Sequence, residues 1–104
     1  MKILLDEFCP RHLLRLLPDH HVYTVASMRW NGLTNGDLIA HADPHFDVFI
    51  TLDKNLRYQQ DLTRIRMAIL LLVVPNNRLS TVLEHARRLA PLLGEELAGR
   101  FLEV

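Results

Sequence analysis

The chain holds 104 residues, with twelve basic and twelve acidic side chains, no net charge and 49% hydrophobic residues. A domain usually runs ~100–150 residues, so the length predicts one domain over residues 1–104, and the apolar fraction excludes a disordered tail. One cysteine, Cys9, excludes a disulfide framework or cysteine zinc cage, and the longest apolar run, Met67 to Pro75, is far short of the ~20 residues that cross a bilayer.

Met1 to Glu7 carries two acids where a signal peptide needs apolar residues, which predicts a cytoplasmic protein. Lys2–Leu5 reads as a short buried strand running into Asp6-Glu7. Pro10 suits a first helical turn, and Leu13, Leu14 and Leu17 give that turn an apolar stripe ending at Pro18. His21–Val25 is β-branched and aromatic and predicts a second strand. Asn31-Gly32 and Asn35-Gly36 are turn signals around Trp30, a packing or interface anchor. Asp37–Ala42 predicts a short helix closed by Asp43-Pro44.

Asp47–Leu52 predicts the third strand, again running into an acid, Asp53. Residues 55–63 predict a helix with Leu56 and Leu62 inward. Met67–Val74 is continuously apolar, as a central parallel strand covered on both faces requires. Asn76 or Asn77 is the expected cap of a long helix carrying Leu79, Val82, Leu83, Ala86, Leu89, Leu93 and Leu97, with a kink or restart at Pro91. Residues 100–104 predict a last strand. Alternation of strands and helices with one fully apolar strand predicts an α/β domain with a mostly parallel sheet of about 4–5 strands.

Ligands in such sheets gather at the carboxyl ends of strands. Two strands end there in aspartate, Asp6 and Asp53, and Asp37 opens a helix after a turn, so all three are expected on one edge. Clustered carboxylates repel and call for a cation or a raised pKa; hard oxygen donors with room for water suit Mg²⁺ or Mn²⁺. Such a centre can activate water against a phosphodiester. Each aspartate has an alternative use as the cap of the helix that follows it.

Charge is unevenly spread. Residues 1–53 carry seven acids and four bases, whereas residues 54–104 carry five acids and eight bases. Lys54, Arg57, Arg64 and Arg66, opposed only by Asp61, follow the third acid and are the expected phosphate-binding segment for RNA, with Tyr58 placed to stack or to pack. The six histidines lack metal-ligand spacing: His20 and His21 point opposite ways on a strand, and Pro44 breaks the register of His41 and His45.

Three segments taken together resemble the PIN-like ribonuclease domains, in particular the short members grouped as toxins of toxin–antitoxin pairs. They are Met1-Lys2-Ile3-Leu4-Leu5-Asp6-Glu7-Phe8-Cys9-Pro10, Gly32-Leu33-Thr34-Asn35-Gly36-Asp37-Leu38-Ile39 and Thr51-Leu52-Asp53-Lys54-Asn55. The resemblance implies a three-layer, Rossmann-like sheet and a metal-dependent endoribonuclease using Mg²⁺ or Mn²⁺. It implies Asp6, Asp37 and Asp53 as catalytic and metal-ligating acids, with Glu7, Thr51 and Asn55 in support. Relatives usually carry an aspartate where this chain has Asn55; an amide adds no charge and lowers the expected cation affinity. The implied partners are RNA and a small antitoxin, with a homodimer or antitoxin surface expected on Leu92, Leu93 and Leu97. The alternative function is a catalytically weak or inactive PIN-like scaffold that binds RNA or a protein. A phosphoacceptor receiver domain also carries acids after its first and third strands, but needs a lysine ending a late strand, and the only lysines are Lys2 and Lys54.

Overall fold

Four strands of four residues and one of three form a single sheet in the computed structural model, which describes residues 1–56 and 61–104. The strands are β1 (Lys2–Leu5), β2 (His21–Thr24), β3 (Val48–Thr51), β4 (Ala68–Leu71) and β5 (Phe101–Glu103). All neighbours are parallel, in the order β2-β1-β3-β4-β5. Interleaved with them are a 3-10 helix (Arg11–Leu16) and the helices α1 (Asn35–Ala42), α2 (Leu79–Ala86) and α3 (Leu89–Leu92). Among the described residues, no helix is long and apolar enough to cross a membrane.

Strand alternation divides the core in two. Ile3, Leu5, Val48, Ile50, Ala68 and Leu70 point to one face, where they meet Leu13 of the 3-10 helix, Leu17 just after it, and Val82, Ala86 and Leu89 from α2 and α3. Leu4, Phe49 and Ile69 point to the other, against Leu38, Ile39 and Ala42 of α1 and against Leu56. Burial on both faces explains why β4 lies in an unbroken apolar run. The radius of gyration, 12.5 Å, matches the ~13 Å of a single 100-residue domain.

The connection leaving β1 packs on one face, and the helix leading into β3 packs on the other. The chain therefore steps to opposite sides of β1, and the carboxyl ends of β1 and β3 border the crevice this reversal opens.

Local differences from the sequence reading have simple causes. The long C-terminal helix breaks at Arg87-Arg88 rather than at Pro91, which lies inside α3; a helix tolerates proline in its first turn, where no hydrogen bond is lost. Its N-cap is Arg78, without a side-chain cap bond, while Asn76 Oδ1 accepts from the Arg78 N–H at 3.0 Å and shapes the turn before it. Thr34 caps α1, accepting from the Asp37 N–H at 3.3 Å, so that helix begins two residues before Asp37. Leu93 and Leu97 are buried in the core, which corrects the expectation that they form a docking surface. Of the helix expected over residues 55–63, residues 57–60, with Arg57 and Tyr58, lie outside the described residues, and residues 61–63 are not helical.

Candidate active site

Asp6 is held by the sheet itself. One residue past β1, its N–H still donates to the Ile50 carbonyl at 2.9 Å, so the ladder fixes the backbone from which the carboxylate projects. The residue is 8% exposed. Its Oδ2 accepts from the Thr51 hydroxyl at 2.7 Å and its Oδ1 from the Glu7 N–H at 2.8 Å. Burial pushes the Asp6 carboxyl above the usual carboxylate range, against the pull of the Thr51 and Glu7 hydrogen bonds; the charges of Asp53 and Glu7 add to the rise.

Thr51, the last residue of β3, is fully buried. While its hydroxyl donates to Asp6, the same oxygen accepts from the Asp53 N–H at 3.0 Å. The single hydroxyl thus ties the two strand-end acids together. Asp53 is half-buried; Oδ1 accepts from the Asn55 N–H at 2.9 Å, a short turn that opens the following segment, and Oδ2 accepts from Asn35 Nδ2 at 3.1 Å. The helix that Asp53 is expected to cap runs into residues outside those described, and the bond from Asn55 is a local turn.

A cleft of about 910 Å³ opens over these groups, lined by Asp6, Glu7, Asp53, Lys54 and, from α1, Asn35. Asn76 and Asn77, following β4, complete its polar wall. The volume falls within the ~300–1,000 Å³ of small-ligand sites. The described hydrogen bonds take one lone pair on each carboxylate oxygen, and an ionised carboxylate has about four such sites.

Asp37 does not line the cleft. It is exposed in the first turn of α1, two residues after Asn35. Each helical residue turns the chain by about 100°, so positions two apart lie about 200° around the axis and cannot face one crevice together. Of the three aspartates expected on one edge, Asp6 and Asp53 line the cleft, with Asn35 beside them, and Asp37 is not among its lining residues. The sequence marks Asn35 as a turn residue and as a rival cap of the helix; the helical phase from Leu38 and Ile39 is the signal that points it to the cleft.

The basic segment is corrected too. Lys54 lines the cleft, but Arg66 sits two residues before β4, at the amino edge of the sheet, and lines a separate cavity with Met1 and Asp47. A four-residue strand at ~3.3 Å per residue puts about 10 Å between the edges. Arg64, exposed just before it, is also absent from the cleft lining. Asn55 is exposed and engages Asp53 through its backbone.

Among the described residues, no three His, Cys, Asp or Glu side chains are grouped to hold a metal. The donors that a cation would meet at the cleft are oxygens: the carboxylates of Asp6, Asp53 and Glu7, with amide groups nearby. That set suits Mg²⁺ or Mn²⁺, since Mg²⁺ keeps several waters and is commonly held by one or two carboxylates together with substrate phosphates.

Fold and site define a parallel α/β domain with an acid-lined cleft at the switch point of its sheet. No protein-family model, curated protein or solved structure matches the chain.

Proposed function

We propose that this chain is a divalent-cation-dependent endoribonuclease with a three-layer, PIN-like architecture, acting in the cytoplasm as the toxin of a toxin–antitoxin pair. The observation that carries the reading is the coupling of Asp6 and Asp53 through Thr51 at the mouth of the switch-point cleft. Asp6 and Asp53 would hold the cation, Mg²⁺ or Mn²⁺, with Asn35 fixing one oxygen of Asp53. A cation held there would supply charge stabilisation at a phosphoryl oxygen and activation of water. Lys54 contributes the positive charge that draws a phosphate toward the acids. Glu7, exposed on the same rim, adds negative charge beside Asp6.

The test is cleavage of RNA with Mn²⁺ or Mg²⁺ present and then removed by chelation. Asp6→Asn and Asp53→Asn should each abolish cleavage while leaving the circular dichroism spectrum intact. Unchanged cleavage by both variants overturns the reading.

A second reading, an inactive scaffold that binds RNA or a protein, is favoured by Asn55 and by the position of Asp37 outside the cleft. Calorimetric titration with Mn²⁺ separates the two, because a scaffold needs no cation. The strand order also suits a phosphoacceptor receiver domain, but Lys2 lies at the amino end of β1 and Lys54 just past β3, so β4 and β5 offer no lysine.

A further inference from the structure

The 3-10 helix and α2 pack beside each other on the sheet face that buries Leu13, Val82 and Ala86. Their exposed charges, over residues 11–15 and 78–88, are Arg11, Arg15, Arg78, Arg87 and Arg88 against Glu84 alone. Glu84 lies 3.9 Å from Arg87, so it offsets one of the five. The other four arginines have no ion pair among the described residues. On the same helices Leu79 is 45% exposed and Leu14 and Leu83 are half-buried, so the positive face has apolar ground.

The chain carries no net charge, so acids elsewhere balance this face. At the amino edge of the sheet a cavity of about 610 Å³ is lined by Asp43, Asp47, Glu95 and Glu96 against Arg66, with Phe46 and Leu97 as apolar floor. Asp43 accepts from the Arg66 and Met67 N–H groups and Asp47 from the Lys2 N–H, and these backbone donors leave the carboxylate charge in place. The Lys2 ammonium is held over the rings of Tyr23 and Phe46, 5.3 and 5.0 Å from their centroids.

We propose that the chain binds a second copy of itself, with the arginine face of one molecule on the acidic amino edge of the other. A guanidinium meets a carboxylate through two parallel hydrogen bonds and is more weakly hydrated than an ammonium, so arginine suits an interface with acids. Arginine face against arginine face would be repulsive, whereas the acidic edge complements it. Apolar ground beneath a charged rim on both patches is the make-up of a protein interface; a phosphate backbone offers Leu79 nothing to pack on. The cleft at the carboxyl edge takes no part, so the proposal stands apart from the nuclease reading.

Sedimentation equilibrium of the whole chain tests it. At about 0.01 M ionic strength, where the Debye length is about 30 Å, the average mass should rise with concentration above the 12.1 kDa of one chain. At about 1 M, where charges are screened within about 3 Å, it should return to one chain. Arg15→Glu with Arg78→Glu, and separately Glu95→Arg with Glu96→Arg, should each weaken self-association by about tenfold or more. An equal mixture of the two variants should associate again, because each offers the charge that the other's altered patch now needs. A misfolded variant could not be rescued in that way. A wild type that stays at one chain at low salt, association unchanged at high salt or in either variant, or a mixture that stays monomeric overturns the proposal. Binding of poly(U) that Arg15→Glu with Arg78→Glu abolishes, by a chain that is monomeric alone, assigns the face to nucleic acid and overturns it as well.

Discussion

The Thr51 hydroxyl lies 2.7 Å from Asp6 Oδ2 and donates its proton to it, across the boundary between β1 and β3. Because the same oxygen accepts from the Asp53 N–H, one small side chain sets the relation between two acids 47 positions apart in sequence. Thr51→Val keeps the shape and removes both bonds. It should cost about 1–3 kcal/mol of stability in urea unfolding, the usual penalty for a stranded buried polar group, and lower Mn²⁺ affinity. Thr51→Ser, which keeps the hydroxyl, should restore cation binding even where it loses packing.

Asp6 gives the folded protein a definite pH signature. Its folded pKa is raised, so folding favours the protonated form. That contribution is complete below the unfolded carboxyl pKa and is lost as pH rises through the folded value. At neutral pH the ionised carboxylate is a burden, and Asp6→Asn should have the higher urea midpoint. The advantage of the variant over the wild type should shrink as pH is lowered toward the carboxylate range. Denaturation curves of both proteins across pH check the sign.

Cation binding at Asp6 should reverse that balance. A ligand at a hundred times its dissociation constant stabilises a fold by about 2.7 kcal/mol. Mn²⁺ should therefore raise the thermal midpoint of the wild type and leave Asp6→Asn and Asp53→Asn unmoved. Equal shifts in all three proteins would place the ion elsewhere.

Asn35 and Asp37 should separate cleanly. Asn35→Ala removes the donor to Asp53 Oδ2 and should weaken Mn²⁺ binding, whereas Asn35→Asp puts a further carboxylate beside Asp53 and should tighten it, by about tenfold or more, equivalent to ~1.4 kcal/mol. Asp37→Asn loses only the favourable placement of an acid at a helix N-terminus, about 0.5 kcal/mol, with cation binding unchanged. Titration calorimetry on the three variants decides the matter.

Cys9 should resist thiol reagents in the native state. It is 7% exposed, its Sγ lies 3.4 Å from the Ile50 carbonyl, and burial, with Asp6 nearby, pushes its pKa up to about 12. The thiolate is the reactive form, so alkylation at pH 8 should proceed only through unfolding, at a rate that rises with urea. Rapid labelling of the folded protein would contradict this burial.

The five strands were legible in sequence because each is a short run of β-branched or apolar residues bounded by polar ones, and the unbroken apolar character of Met67–Val74 required burial on both faces. Asp6 and Asp53 were legible for a related reason: an acid directly after a buried strand must leave the sheet at its carboxyl end. The helix break at Arg87-Arg88 was not, because Pro91 is the stronger local signal and only packing against the sheet showed that α3 accommodates it. Sequence alone therefore determined the α/β class, the parallel sheet and the edge carrying the acids, since these follow from hydrophobic period and chain direction. The strand order β2-β1-β3-β4-β5, the choice of Asn35 over Asp37, and the loss of Arg66 to the far edge were decided only by tertiary structure. Helical phase and the length of a strand are fixed in space by what each element packs against, and no local run of residues carries that information.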